Sequence, residues 1–101
     1  MVKITALFGH PTSPTDFEEH FTNNHRPLVD KIPNLQRFEA AKIVATPDGS
    51  ELTYYRISEL YFESMEQMQS GMGSHEGQAA TEDIPNFATG GATIFISEVD
   101  A

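Results

Sequence analysis

His25 is the side chain best suited to move a proton. It lies in Phe21-Thr22-Asn23-Asn24-His25-Arg26-Pro27-Leu28, and an imidazole with a pKa of about 6.5 works as acid or base near neutrality. On a helix carrying Phe17, Phe21, Leu28 and Ile32 on one stripe, His25 falls about 80° round from Phe17, at the stripe's edge. There it faces a sheet, where apolar surroundings can shift its pKa. Pro27 removes a backbone N–H, so a carbonyl near Asn23 must find another donor or water. Irregular backbone beside a buried histidine is where a pocket can form. The alternative is a core histidine held by one hydrogen bond, with Pro27 a simple kink.

Companions for His25 are sought on the strands. Glu59 shares a strand face with Tyr55, Ile57 and Tyr61 by alternation, and it is either an interface ion-pair partner or an orienter for a base. Tyr55 and Tyr61 can hydrogen-bond a polar ligand or simply pack. Arg37, Glu39 and Arg56 suit cross-strand ion pairs. Phe21, Phe38, Phe62, Met68 and Phe87, with Met65 and Met72, describe either an adaptable apolar pocket or an ordinary core. His20 and His25 stand about 140° apart on a regular helix and would not share a metal. His10 and His75 lie at element ends. No metal-binding spacing and no glycine-rich phosphate loop after a strand is present, so no metal and no cofactor is expected.

The elements that must position these groups read clearly. Residues 2–8 alternate, with Val2, Ile4, Ala6 and Phe8 on one side, which predicts a strand. Ser13 is an N-cap with Pro14 at the first helical position, opening the helix that bears His25. Residues 35–45 and Tyr54–Phe62 predict two more strands, joined through the turn Thr46-Pro47-Asp48-Gly49-Ser50. Ser64 and Gln67 form a capping box. Gly71 and Gly73 weaken that helix, Ser74 caps a second piece to about Asp83, and Pro85 is expected to stop it. Residues 92–99 form the last strand. The order β-α-β-β-α-β predicts one α+β domain over residues 1–101, a ferredoxin-like sandwich with both helices on one sheet face.

Bulk properties narrow the partners. The chain has 101 residues, no cysteine and a net charge of −9. A domain this small has a modest core and gains from a partner subunit when disulfides are absent. Both sheet faces carry large apolar residues, among them Phe95 and Val99 against Ile94 and Ile96, and a second copy of the same sheet is the simplest cover. A homodimer is therefore expected. The acidic surface disfavours nucleic acid and anionic membranes. No stretch of about 20 apolar residues and no signal-like start is seen, so a cytoplasmic protein is expected.

Leu7-Phe8-Gly9-His10-Pro11, His25-Arg26-Pro27-Leu28, Ile32-Pro33-Asn34-Leu35, Thr46-Pro47-Asp48-Gly49, Tyr54 to Phe62, and Ser74-His75-Glu76-Gly77-Gln78-Ala79 leading to Asn86-Phe87-Ala88 together resemble the EthD family. The resemblance implies the dimeric α+β barrel superfamily, in which two ferredoxin-like protomers pack sheet to sheet. It implies an association with ethyl tert-butyl ether degradation beside a cytochrome P450 system, under an oxidoreductase label. The wider superfamily includes cofactor-free monooxygenases, cyclases, isomerases and haem proteins, and fold alone does not choose among them. Three expectations follow. One is a cofactor-independent enzyme on a small apolar molecule, with His25 as acid or base and a strand tyrosine positioning the substrate. Another is an accessory protein sheltering such a molecule for a partner oxygenase. The third is haem binding through His25.

Overall fold

The computed structural model describes residues 1–100. Strand β1 (Val2–Phe8) is followed by helix α1 (Pro14–His20), a π-helical turn (Phe21–His25) and helix α2 (Arg26–Asp30), which run as one unbroken helical segment. Then come β2 (Arg37–Lys42), β3 (Arg56–Phe62), α3 (Met65–Gly73), α4 (His75–Phe87) and β4 (Ala92–Glu98). The sheet order is β2-β3-β1-β4, with every neighbouring pair antiparallel. This is the ferredoxin-like α+β arrangement the element order predicts.

The caps act where their residue types place them. Ser13 accepts from the Asp16 amide and Ser64 from the Gln67 amide. Ser74 separates α3 from α4: its hydroxyl donates to the Gly71 carbonyl and accepts from the Gly77 amide. Three expectations are corrected. The second strand spans 37–42, not 35–45, because Asn34 turns the chain with φ 68°. The third begins at Arg56, not Tyr54: the Tyr55 amide donates to the Phe8 carbonyl, and the Tyr55 ring packs on Phe17. Helix α4 continues through Pro85 to Phe87. Proline there deprives only the Thr81 carbonyl of a partner, and Ala88 still donates to the Ile84 carbonyl.

All helices cover one sheet face, and the interface divides in two. At one end Phe8, Phe17, Phe21, Tyr55 and Phe87 form an aromatic cluster, with edge-on contacts such as Phe17–Phe87 at 5.1 Å between ring centroids. Such contacts contribute beyond plain burial. At the other end Val2, Val29, Ile32, Leu60, Phe62, Met68 and Ala80 form a mainly aliphatic cluster. The outer face of the sheet is part apolar and part charged. Leu7 and Ile57 are paired across strands near the half-exposed Phe95, while Lys3–Glu59 and Arg37–Glu39 form ion pairs of 2.6 and 2.7 Å.

Candidate active site

A cavity of about 250 Å³ lies between the helices and the sheet, at the aliphatic end. Its walls come from Ile4 and Ala6 of β1, Ser58 and Leu60 of β3, Val29 of α2, Met68 and Met72 of α3, Ala80, Thr81 and Ile84 of α4, and Ile94 and Ile96 of β4. His25 joins them from the end of the π turn. Ile94 and Ile96 are about half exposed, so the cavity opens along β4.

The local sequence makes the turn that delivers His25. Pro27 has no N–H to give the Asn23 carbonyl, and the helix widens: the Arg26 amide donates to the Phe21 carbonyl, five residues back. A turn widened by one residue aligns positions five apart. His20 and His25 therefore face the same partner, which corrects the 140° separation expected of a regular helix. That partner is Asp83 of α4. His20 Nε2 lies 2.8 Å from Asp83 Oδ1, and His25 Nδ1 lies 3.1 Å from Oδ2. Asn86 Nδ2 donates to Oδ1 at 3.0 Å.

Burial pushes the Asp83 carboxyl up, but hydrogen bonds from His20, Asn86 and His25 outweigh it and hold the acid below its ordinary value. An ionised carboxylate only accepts, so the two facing imidazole nitrogens carry the protons. His25 Nε2 then holds the lone pair, and it has no hydrogen-bond partner among the described residues. Desolvation lowers the His25 pKa from the ordinary 6.5; the bond to Asp83 and its charge oppose that, and His20 adds to it. His25 is thus an imidazole whose tautomer and orientation are fixed by a carboxylate, an arrangement found in many acid–base sites.

The structure does not gather the other expected companions. Tyr55 lies on the helix side but in the aromatic cluster, its hydroxyl donating to Glu18 at 3.0 Å. Burial, followed by the Glu18 bond, pushes its phenol up. Glu59 and Tyr61 are on the outer sheet face, across the sheet from His25. Glu59 accepts from Lys3, and the Tyr61 hydroxyl donates to Glu39 at 3.2 Å. Of the expected pocket residues Met68 and Met72 line the cavity. Phe21, Phe62 and Phe87 are packed solid at 1, 0 and 3 % exposure, and the Phe38 ring lies under Arg26.

Two residues escaped the sequence reading. Asp83 follows Ala80 and precedes Phe87 on the buried stripe of α4, and a carboxylate on an apolar stripe is a signal in itself. Ser58 is 2 % exposed, and its hydroxyl has no partner. Haem does not fit this cavity: among the described residues no lysine or arginine lines it to meet the propionates, and its volume suits a small organic molecule. No helix of the described residues is long and apolar enough to cross a membrane.

A family model described as the EthD domain matches residues 9–91. An uncharacterised 11.0 kDa protein of Rhodococcus erythropolis, from the thcB–thcC intergenic region, is 39% identical over 98 residues, covering 97% of this chain and 94% of the relative. The crystal structure of an EthD family protein from Bacillus halodurans superposes with a TM-score of 0.92 at 37% identity, over 99% of each chain. Two more distant structures share the fold alone. One is a dimeric ferredoxin-like protein of unknown function from Thermobifida fusca (TM-score 0.72, 15% identity, 97% of this chain and 90% of that one). The other is a mutant form of SnoaB, a cofactor-independent oxygenase from Streptomyces nogalater (TM-score 0.68, 7% identity, 99% and 92%).

Proposed function

The chain belongs to the EthD family, and from that premise we propose that it is a cofactor-independent acid–base catalyst acting on a small, largely apolar organic molecule, with His25 as the base. The observation that carries this is the imidazole itself: its Nδ1 side is held by Asp83 at 3.1 Å, and the residue lines an otherwise apolar cavity. A protein that merely sheltered a molecule for a partner oxygenase would have no use for a buried carboxylate behind a pocket histidine. Apolar walls expel water and strengthen the local electrostatics, so a single oriented base is effective there. SnoaB is a cofactor-independent oxygenase on the same fold, which is consistent with chemistry that needs no bound cofactor.

The working unit in this proposal is a homodimer whose protomers pack outer sheet face to outer sheet face. Phe95, 46 % exposed, would be covered there, and the Thermobifida fusca protein of the same fold is dimeric. Sedimentation at micromolar concentration should show a species of twice the 11.2 kDa chain mass; a monomer alone would remove the dimer.

The catalytic proposal is tested through His25 and its support. Imidazole ¹⁵N spectra at pH 7 should show His25 neutral with its proton on Nδ1. His25→Ala should leave the thermal melt nearly unchanged, because Asp83 keeps its His20 and Asn86 donors, while turnover is lost. A stability loss of about 1–3 kcal/mol, the cost of an orphaned partner, with binding and turnover unchanged would make His25 a core residue and overturn the proposal.

A further inference from the structure

We infer that Ser58 is the second recognition group of this cavity, and that the cavity selects a neutral molecule whose carbonyl or enol oxygen meets the Ser58 hydroxyl while His25 Nε2 takes a proton from the adjacent carbon. This rests on the proposal that His25 is the base. It begins from the Ser58 Oγ, which is buried and has no hydrogen-bond partner. Buried polar groups are nearly always paired, and an orphan asks for an explanation such as an absent ligand. Ser58 stands in the middle of β3 opposite Ala6 and Ala40, whose methyl groups cannot accept its hydrogen bond. The residue lines the same cavity as His25.

The rest of the lining defines the ligand by exclusion. The Thr81 hydroxyl is already committed to the Gly77 carbonyl at 3.0 Å. Among the described residues no lysine or arginine lines the cavity. The charge held behind His25 is the Asp83 carboxylate, and it is negative. A carboxylate or phosphate ligand would be desolvated there without a cation, so the ligand is neutral. One donor hydroxyl and one basic nitrogen, in walls of hydrocarbon, match an enolisable ketone.

The chemistry balances without an oxidant. His25 Nε2 takes the proton from the carbon beside the carbonyl. The C–H electron pair becomes a C=C bond, and the carbonyl π pair moves onto oxygen, where the Ser58 O–H meets the developing charge. Asp83 stabilises the imidazolium, which returns a proton to carbon after exchange with solvent.

The probes are 2-tetralone, its hydrocarbon counterpart tetralin and the anion 2-naphthoate, with binding followed by NMR and the ketone's deuterium uptake measured in D₂O. The protein should bind 2-tetralone more tightly than tetralin, reject 2-naphthoate, and speed deuteration of the ketone above the buffer rate. Ser58→Ala should weaken 2-tetralone about threefold to tenfold, as expected for one neutral hydrogen bond, slow its deuteration, and leave tetralin unchanged; Ser58→Thr should restore the ketone. Because the change removes an unpaired hydroxyl, Ser58→Ala should melt no lower than the natural protein, which separates recognition from folding. If Ser58→Ala binds and deuterates the ketone like the natural protein while His25→Ala abolishes deuteration, the Ser58 assignment is overturned and the base survives. Deuteration indifferent to His25→Ala overturns both, as does the absence of binding by either neutral probe.

Discussion

The two ends of the helix–sheet interface are made of similarly apolar residues and have different fates. At the aromatic end Phe8, Phe17 and Phe21 are 1 to 2 % exposed and Phe87 is 3 % exposed, their rings in edge or stacked contact. At the aliphatic end the branched and thioether side chains of Val29, Ile32, Leu60 and Met68 leave about 250 Å³ unfilled. Hydrophobicity decides that both ends are inside; shape decides which of them is full. The two meet at His25, whose ring lies 4.6 Å from that of Phe87 while its residue also lines the cavity. The full end therefore packs against the imidazole, and the hollow end leaves a space beside it.

The sharpest way to break that contrast is to hollow out the full end. Phe17→Ala should cost about 3–5 kcal/mol in urea unfolding, enough to bring a small domain near its limit. A loss below about 1 kcal/mol would show that the aromatic end is not the one that holds the fold. Asp83→Asn comes next, because it replaces an acceptor of three hydrogen bonds with an amide. About 1–3 kcal/mol should be lost, and the His25 resonances should report a changed tautomer.

Filling the hollow end runs the other way. Ala80→Leu, from a residue that lines the cavity, should change stability by less than about 1 kcal/mol or raise it. Binding of a neutral probe should disappear. Retained binding would place the site elsewhere.

Acid should act on the junction. The folded pKa of His25 lies below the ordinary 6.5, so the unfolded chain takes up its proton first. The histidine's contribution is fully present above pH 6.5 and is lost as pH falls through the lower folded value. Asp83 adds the same sign further down, below its ordinary 3.8. In His25→Ala, melting temperature against pH should lack the first of these losses. The smallest effect belongs to the outer face: Glu59→Gln should leave stability nearly unchanged, since half-exposed ion pairs contribute little, and it should not alter the cavity.

The sequence made the frame legible because its signals are local. Alternation at Val2, Ile4, Ala6 and Phe8, the caps at Ser13, Ser64 and Ser74, and the inward angle of His25 each depend on neighbours a few residues away. The cavity depends on volume left over between elements, which no residue carries. Phe21, Phe62 and Phe87 were thus natural candidates for pocket walls and are in fact the packing that excludes a pocket. Asp83 was hidden for another reason: its partners come from 58 and 63 positions away. Tyr55 was assigned to the wrong face because one irregular step before Arg56 breaks the alternation on which the assignment relied.

The π turn has a consequence for how this helix can change over time. Such turns are kept against the regularity of an ordinary helix, where every carbonyl has its partner at the usual distance. Removing one residue, Asn23 or Asn24, should let the segment relax into a regular α-helix with the two histidines four positions apart, a spacing that keeps them on one face. The shortened helix would regain its regular ladder except at Pro27 and could still turn both histidines toward Asp83. The extra residue is tolerated because Pro27 already forbids one bond of the regular ladder, and the turn widens where that bond is missing.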